Sequence, residues 1–161
     1  MIKAAILTIS DKGARGERED RSSQVIRELL SRLPVGVVEY RIVPDEASRI
    51  EEAIRALAQI SDLVLTTGGT GVSPRDITPD VTARIIEREL PGFGEAMRME
   101  GLKKTPRAII SRAIAGIYEG CLIINLPGSP KGARECLEVV LPAIEHTIAK
   151  IKGDPAECGS Q

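Results

Sequence analysis

The chain has 161 residues, 42% hydrophobic and 28% charged, which suits one domain with a buried core and excludes disorder throughout. Its 22 Lys and Arg against 23 Asp and Glu leave a net charge of −1. A nucleic-acid partner calls for a basic surplus, so a small-molecule or protein partner is expected instead.

Residues 4–9 (AAILTI) form a nearly continuous apolar run, the pattern of a strand covered on both faces. Residues 11–21 then carry eight charges, four of each sign, with Gly13 and Gly16 among them. This stretch predicts a loop rather than a helix, either simply solvated or acting as a lid. Val25, Ile26, Leu29, Leu30 and Leu33 recur at helical spacing, with Asp20 or Ser22 placed to cap the start. Residues 37–43 (VVEYRIV) predict a second strand, stopped by Pro44. Ser48 and Glu51 have capping-box spacing, ahead of a helix face made by Ile50, Ala53, Ile54 and Leu57.

Residues 63–67 (LVLTT) predict a third strand that runs directly into Gly68-Gly69-Thr70-Gly71. Thr78-Pro79-Asp80 reads as an N-cap, a proline at the first helical position and an acid in the first turn. That helix is expected to carry Val81, Ile85 and Leu90, and to be broken by Pro91-Gly92. A helical piece follows over 93–103, then a turn-like helix from 107, a strand over 113–118, a hairpin turn at Glu119-Gly120 and a buried strand over 121–126 (CLIINL). Ser129 and Pro130 open a last helix whose apolar face holds Leu137, Val140, Leu141, Ile144, Ile148 and Ile151, with a bend expected at Pro142. Fraying is expected from Asp154 onward.

Alternating short apolar strands and helices predict a three-layer α/β/α arrangement, with a mostly parallel open sheet and one antiparallel strand. No linker, repeat or low-complexity block divides the chain. No run of about 18 apolar residues occurs, and residues 1–3 lead straight into a strand, so no membrane span, no signal peptide and a cytoplasmic location are expected. Three cysteines (Cys121, Cys136 and Cys158) without a C-x-x-C pair suggest neither a disulfide framework nor a zinc site. The single histidine, His146, sits late in the last helix without a neighbouring nucleophile. The aromatic residues are Tyr40, Phe93 and Tyr118, too few for a base-stacking platform.

In such sheets ligands bind beyond the carboxyl ends of the strands. The residues there are Ser10-Asp11, Pro44-Asp45, the stretch 68–80, and Pro127-Gly128-Ser129-Pro130-Lys131. Glycines after a strand let backbone N–H groups approach an anion, and a helix start adds a positive dipole end. Gly68, Gly69, Thr70 and Gly71 therefore read either as a phosphate cradle or as a structural turn. Arg75 is suited to balancing phosphate charge and Asp76 to holding a hard cation such as Mg²⁺. The Gly-Lys-Ser/Thr ending of a P-loop is absent, and Pro74 stands where the dinucleotide fingerprint requires glycine. Asp45 reads as a helix cap or, with Asp76 at the same sheet edge, as half of a metal-holding pair. Glu95, Ser111, Arg112 and Lys131 each divide evenly between substrate contact and solvated surface.

The order Thr66-Thr67-Gly68-Gly69-Thr70-Gly71, Arg75-Asp76-Ile77-Thr78-Pro79-Asp80 closely resembles the signature of the MogA/MoaB family of molybdenum-cofactor proteins. Ser10-Asp11, Val43-Pro44-Asp45-Glu46, the segment 91–98 (PGFGEAMR), Ser111-Arg112 and the segment 125–131 (NLPGSPK) extend the likeness over residues 4–150. The resemblance implies a molybdopterin adenylyltransferase, which moves AMP from Mg-ATP to the terminal phosphate of molybdopterin. It implies Asp45 and Asp76 as the catalytic, magnesium-linked pair. It implies Ser10, Asp11, Gly68, Gly69, Thr70, Gly71, Arg75, Thr78, Glu95, Ser111, Arg112, Pro127, Gly128 and Lys131 as substrate contacts. Homotrimers, sometimes paired into hexamers, and a molybdenum-insertion partner are also implied. A binding module without turnover and a nucleotide pyrophosphatase are the competing functions. One departure stands out: Ser22-Ser23 replaces a Ser-Gly common in the family, which removes positive-φ freedom there.

Overall fold

In the computed structural model, which describes residues 1–156, the first apolar run forms β1 (Ile2–Ile9). It lies between β2 (Val35–Val43) and β3 (Leu63–Thr67), and β3 pairs with β6 (Cys121–Leu126). Those four strands are parallel. Beyond β6 come β5 (Ala115–Tyr118) and β4 (Arg88–Glu89), giving the order β2-β1-β3-β6-β5-β4. Two antiparallel pairings in succession return β4 to the direction of β6, so β5 alone runs against the rest.

Successive strand residues point to opposite faces, which is why the central strands are apolar throughout. Ala4, Ile6, Leu63, Leu65, Leu122 and Ile124 meet α2 (Arg21–Leu30), α5 (Pro91–Leu102) and α6 (Pro130–Ile151) on one side. Ala5, Leu7, Val64 and Ile123 meet α3 (Ala47–Ala58) and α4 (Thr78–Ile85) on the other. Full burial of each such Leu or Ile contributes about 1.5–3 kcal/mol, and the helix faces packed on the sheet, with Leu29, Ile54 and Ile144 among their buried residues, contribute in the same way. The edge strand β2 is only partly covered, and Glu39 and Arg41 on it discourage pairing with another sheet. No helix among the described residues is long and apolar enough to cross a membrane.

Several boundaries differ from the sequence-based expectation. A four-residue helix, α1 (Asp11–Ala14), opens the charged segment where a loop was expected, because the Ser10 hydroxyl accepts the Gly13 N–H and nucleates one turn. The capping box at Ser48 is not formed: Glu46 occupies the cap of α3 without a side-chain bond. The cap of α4 is Ile77, which moves Thr78 inside the helix. Leu90 is not on α4, which ends at Ile85; the chain instead forms the two-residue strand β4, too short to show any periodicity. Pro91 lies in the first turn of α5 and so starts that helix, where proline's missing N–H costs nothing. The strand expected from Ala113 begins at Ala115, after a 3₁₀ turn over Pro106–Ile110. Ser22 and Ser23 take helical positions in the first turn of α2, so no positive φ is needed there. Cys158 and most of the expected frayed tail lie outside the described residues; residues 154–156 have no regular secondary structure.

The connection β1–α2–β2 covers one face and β2–α3–β3 the other, so β1 and β3 are the neighbours between which the winding reverses. The crevice beyond their carboxyl ends is where the chemistry-bearing residues collect.

Candidate functional site

Gly68 sits at this reversal with φ +108, and a Cβ there would overlap the Ile9 carbonyl oxygen of the neighbouring strand. Only glycine lets the two strand ends come this close. Its N–H donates to the Leu126 carbonyl at 3.1 Å, and a Cβ on Gly128 would lie 3.2 Å from the Gly68 Cα. The Thr67 hydroxyl donates to the Pro127 carbonyl at 2.7 Å. The ends of β1, β3 and β6 are thereby drawn together.

Two concavities flank the loop that follows β3. The larger, about 610 Å³, is a cleft lined by Ser10, Asp45, Gly68, Gly69, Asp76 and Gly128, with Arg18, Asp20 and Arg21 from the charged segment. The smaller, about 270 Å³, is a recess lined by Thr70, Gly71, Ser111 and Pro127 under aliphatic walls from Met97, Ala108 and Ile110. Ser129 borders both. No aromatic side chain lines either concavity. Tyr40 is instead bonded to Asp20, Tyr118 to Arg55, and Phe93 packs on the core.

Asp45 is half-buried. Burial, and next the negative charge of Asp11, hold its carboxyl above the ordinary aspartate range. Asp11 is held below that range by hydrogen bonds from the Arg75 guanidinium and from the Asp45 N–H. Arg75 donates to both Asp11 carboxylate oxygens, at 2.9–3.1 Å, which pins the loop after β3 to the end of β1. Asp76 Oδ2 accepts the Ser73 N–H at 3.0 Å.

Thr78 is fully buried, and its Oγ1 is the one buried side-chain oxygen or nitrogen among the described residues without a hydrogen-bond partner. A Cβ on Gly69 would overlap that oxygen and lie 3.3 Å from Asp45 Oδ1. An unmet hydroxyl thus lies against the cleft lining beside a carboxylate. The helix carrying it is anchored from below. Asn125 donates to the Thr66 and Thr82 hydroxyls at 3.0 Å each, and Thr82 donates in turn to the Thr78 carbonyl at 2.9 Å.

The structure brings together Ser10, Asp45, Gly68, Gly69, Asp76 and Gly128 in the cleft, and Thr70, Gly71, Ser111 and Pro127 in the recess. The other six expected residues line neither concavity: Thr78 lies buried against Gly69, and Asp11 and Arg75 engage each other. Arg112 grips the loop itself, donating to the Gly71 carbonyl at 2.8 Å, to the Asp76 carbonyl and to the Asp80 carboxylate. Glu95 is exposed on α5 and lines neither concavity. Lys131 is exposed in the first turn of α6, its ammonium 4.0 Å from Glu135. His146 lies on α6 about 24 Å along the axis from Pro130. Burial pushes the Cys121 thiol up to about 12 and that of Cys136 to about 11, so neither is a nucleophile near neutrality.

The sequence pattern passed over Asp20, seen there only as a cap. Besides accepting the Ser23 N–H at 3.1 Å, it accepts the Thr8 and Tyr40 hydroxyls. Burial raises its carboxyl, but these hydrogen bonds together outweigh burial and hold it below the ordinary range. Asp20 therefore fixes the far end of the charged segment to β1 and β2 along the cleft.

Comparison with known proteins agrees with this geometry. Residues 5–146 match the family model described as a probable molybdopterin binding domain. The molybdopterin adenylyltransferase of Helicobacter pylori J99 is 47% identical over 95% of this chain and 89% of its own length. That of Escherichia coli K12 is 42% identical over 91% of this chain and 77% of its own. The crystal structure of the molybdopterin biosynthesis enzyme MoaB from Thermus thermophilus superposes with a TM-score of 0.91 at 50% identity, covering 98% of this chain and all of that one. The chain belongs to the molybdopterin-binding domain family of molybdenum-cofactor biosynthesis proteins.

Proposed function

We propose that this chain is a molybdopterin adenylyltransferase that transfers AMP from Mg-ATP to the terminal phosphate of molybdopterin. The observation that carries the reading is the pair Asp45 and Asp76, lining one cleft beside the closely approached Gly68-Gly69 backbone. The activity named for the Helicobacter and Escherichia relatives supports it. An oxygen of the pterin phosphate attacks the α-phosphorus of ATP. A new P–O bond forms as the bond from the α-phosphorus to the α–β bridging oxygen breaks, and that electron pair leaves with pyrophosphate. Such a reaction needs positioning and charge neutralisation rather than a protein nucleophile. A site without a reactive cysteine or a nearby histidine is therefore sufficient.

The residues suit Mg²⁺. Asp45 Oδ1, Asp76 and the unmet Thr78 hydroxyl offer hard oxygens at one place. Magnesium typically takes one or two carboxylates, substrate phosphates and several waters. Among the described residues no group of three or more His, Cys, Asp or Glu could hold a metal alone. The ion is accordingly assigned to the nucleotide complex, where it would neutralise charge at the phosphates. The larger cleft is assigned to the nucleotide and the aliphatic recess to the pterin, with Ser129 between them. Gly68, Gly69 and Ser10 would present backbone and hydroxyl donors to phosphate. Arg75 and Arg112 would act through the loop they hold. Exposed Met99, Leu102, Ile109 and Ile110 on α5 and the 3₁₀ turn support association between copies of this chain; the homotrimer implied by the family resemblance is testable by light scattering.

Asp76→Asn tests the central pair. Turnover is expected to fall roughly a hundredfold or more with thermal unfolding unchanged. Unchanged turnover would remove Asp76 from the mechanism.

A further inference from the structure

Resting on the transferase reading, one feature of the cleft extends it. Its lining holds four carboxylates (Glu19, Asp20, Asp45 and Asp76) against two cations, Arg18 and Arg21. A polyphosphate entering this lining meets net negative charge, and a single Mg²⁺ would offset only part of it. The cations expected to help are committed elsewhere: Arg75 to Asp11, Arg112 to Asp80 and the loop carbonyls, and Lys131 stands outside the cleft beside Glu135. Of the two cations that do line it, Arg21 lies 3.5 Å from Glu19. Arg18 makes no ion pair or hydrogen bond among the described residues, and its neighbour Arg15 is taken by Glu17.

The backbone around Arg18 is arranged to present it. Gly16, two residues before, has φ +71, and Asp20, two residues after, is tied to Thr8, Tyr40 and Ser23. The segment is thus fixed at one end and turned by glycine at the other, with Arg18 between them on the cleft wall. A planar guanidinium with several donors is well matched to phosphate oxygens.

We propose that Arg18 is a substrate-binding residue that takes a phosphate group in this cleft, which makes the charged segment part of the site rather than solvated surface. The phosphate could be supplied by the ATP polyphosphate or by the pterin. The test compares Arg18→Ala and Arg18→Lys with wild type and with Arg15→Ala as a control. KM for Mg-ATP and for molybdopterin is measured, together with direct titration of Mg-pyrophosphate and of adenosine. Arg18→Ala is expected to weaken one phosphate-bearing ligand roughly tenfold to a hundredfold, with adenosine affinity and unfolding temperature unchanged and partial rescue by lysine. A rise in the Mg-ATP KM with weaker pyrophosphate binding assigns the contact to the nucleotide. A rise confined to molybdopterin assigns it to the pterin phosphate. Unchanged values for every phosphate ligand, or equal losses for pyrophosphate and adenosine, would overturn the proposal. Wild-type protein that binds pyrophosphate but makes no adenylylated pterin would overturn the transferase reading alone, leaving the Arg18 contact to be judged by titration.

Discussion

Asp11 and Asp45 hold each other reciprocally: the Asp11 N–H donates to Asp45 Oδ2 and the Asp45 N–H donates to Asp11 Oδ1, both at 3.0 Å. The ends of β1 and β2 are joined by this exchange. One carboxylate, Asp11, is compensated by Arg75; the other, Asp45, is left partly uncompensated in the cleft.

That asymmetry gives a pH prediction. Asp45 must be ionised to assist a cation, and its carboxyl is raised first by burial and then by the Asp11 charge. The acid limb of kcat/KM for Mg-ATP, which reports the free enzyme, is therefore expected above the ordinary aspartate range. Asp11→Asn removes one raising cause and leaves the Arg75 charge nearby, so the limb should move to lower pH. The backbone donor of Asp11 remains, and kcat on the plateau should fall no more than roughly tenfold to a hundredfold, as for partners that orient a ligand-holding group. A limb that stays in place or rises would show that Asp11 does not act on Asp45.

Gly68 should resist substitution more than any turn glycine. Gly68→Ala meets both a positive φ and the Ile9 carbonyl, so a loss of about 3 kcal/mol or more in urea unfolding is expected, with loss of the cleft. Gly120, at φ +78 in open space, isolates the backbone cost; Gly120→Ala should cost only about 1–2 kcal/mol. Equal losses would mean that contact at the strand ends does not set the requirement.

The Asn125 network predicts a stability effect from a residue that touches neither concavity. Asn125→Ala strips partners from the buried Thr66 and Thr82 hydroxyls and from the Ile114 N–H. A cost of about 1–3 kcal/mol is expected. Because Thr82 binds the Thr78 carbonyl, substrate binding should weaken alongside stability. A variant as stable as wild type, or one destabilised with unchanged KM values, would separate this network from the site.

Much of the sheet was legible because β1, β3 and β6 are apolar at nearly every position, as burial on both faces demands. Asp45 and Asp76, 31 positions apart in sequence, were legible as a pair because each follows a strand on the same edge. What escaped was short or tertiary. β4 has two residues and α1 has four, below any periodicity. Arg75 and Arg112 look like phosphate ligands until their partners Asp11 and Asp80 are seen, 64 and 32 positions away. Asp20 reads as a cap because the Thr8 and Tyr40 hydroxyls come from other strands. The scarcity of aromatics did translate into structure: neither concavity has an aromatic wall.

The central claim is most directly tested by mixing the protein with molybdopterin and Mg-ATP and measuring pyrophosphate and adenylylated pterin together. The two products should accumulate in equal amounts, and neither should form when the pterin is left out. Tight pterin binding with no adenylylated product, or pyrophosphate released from ATP without pterin, would contradict adenylyl transfer.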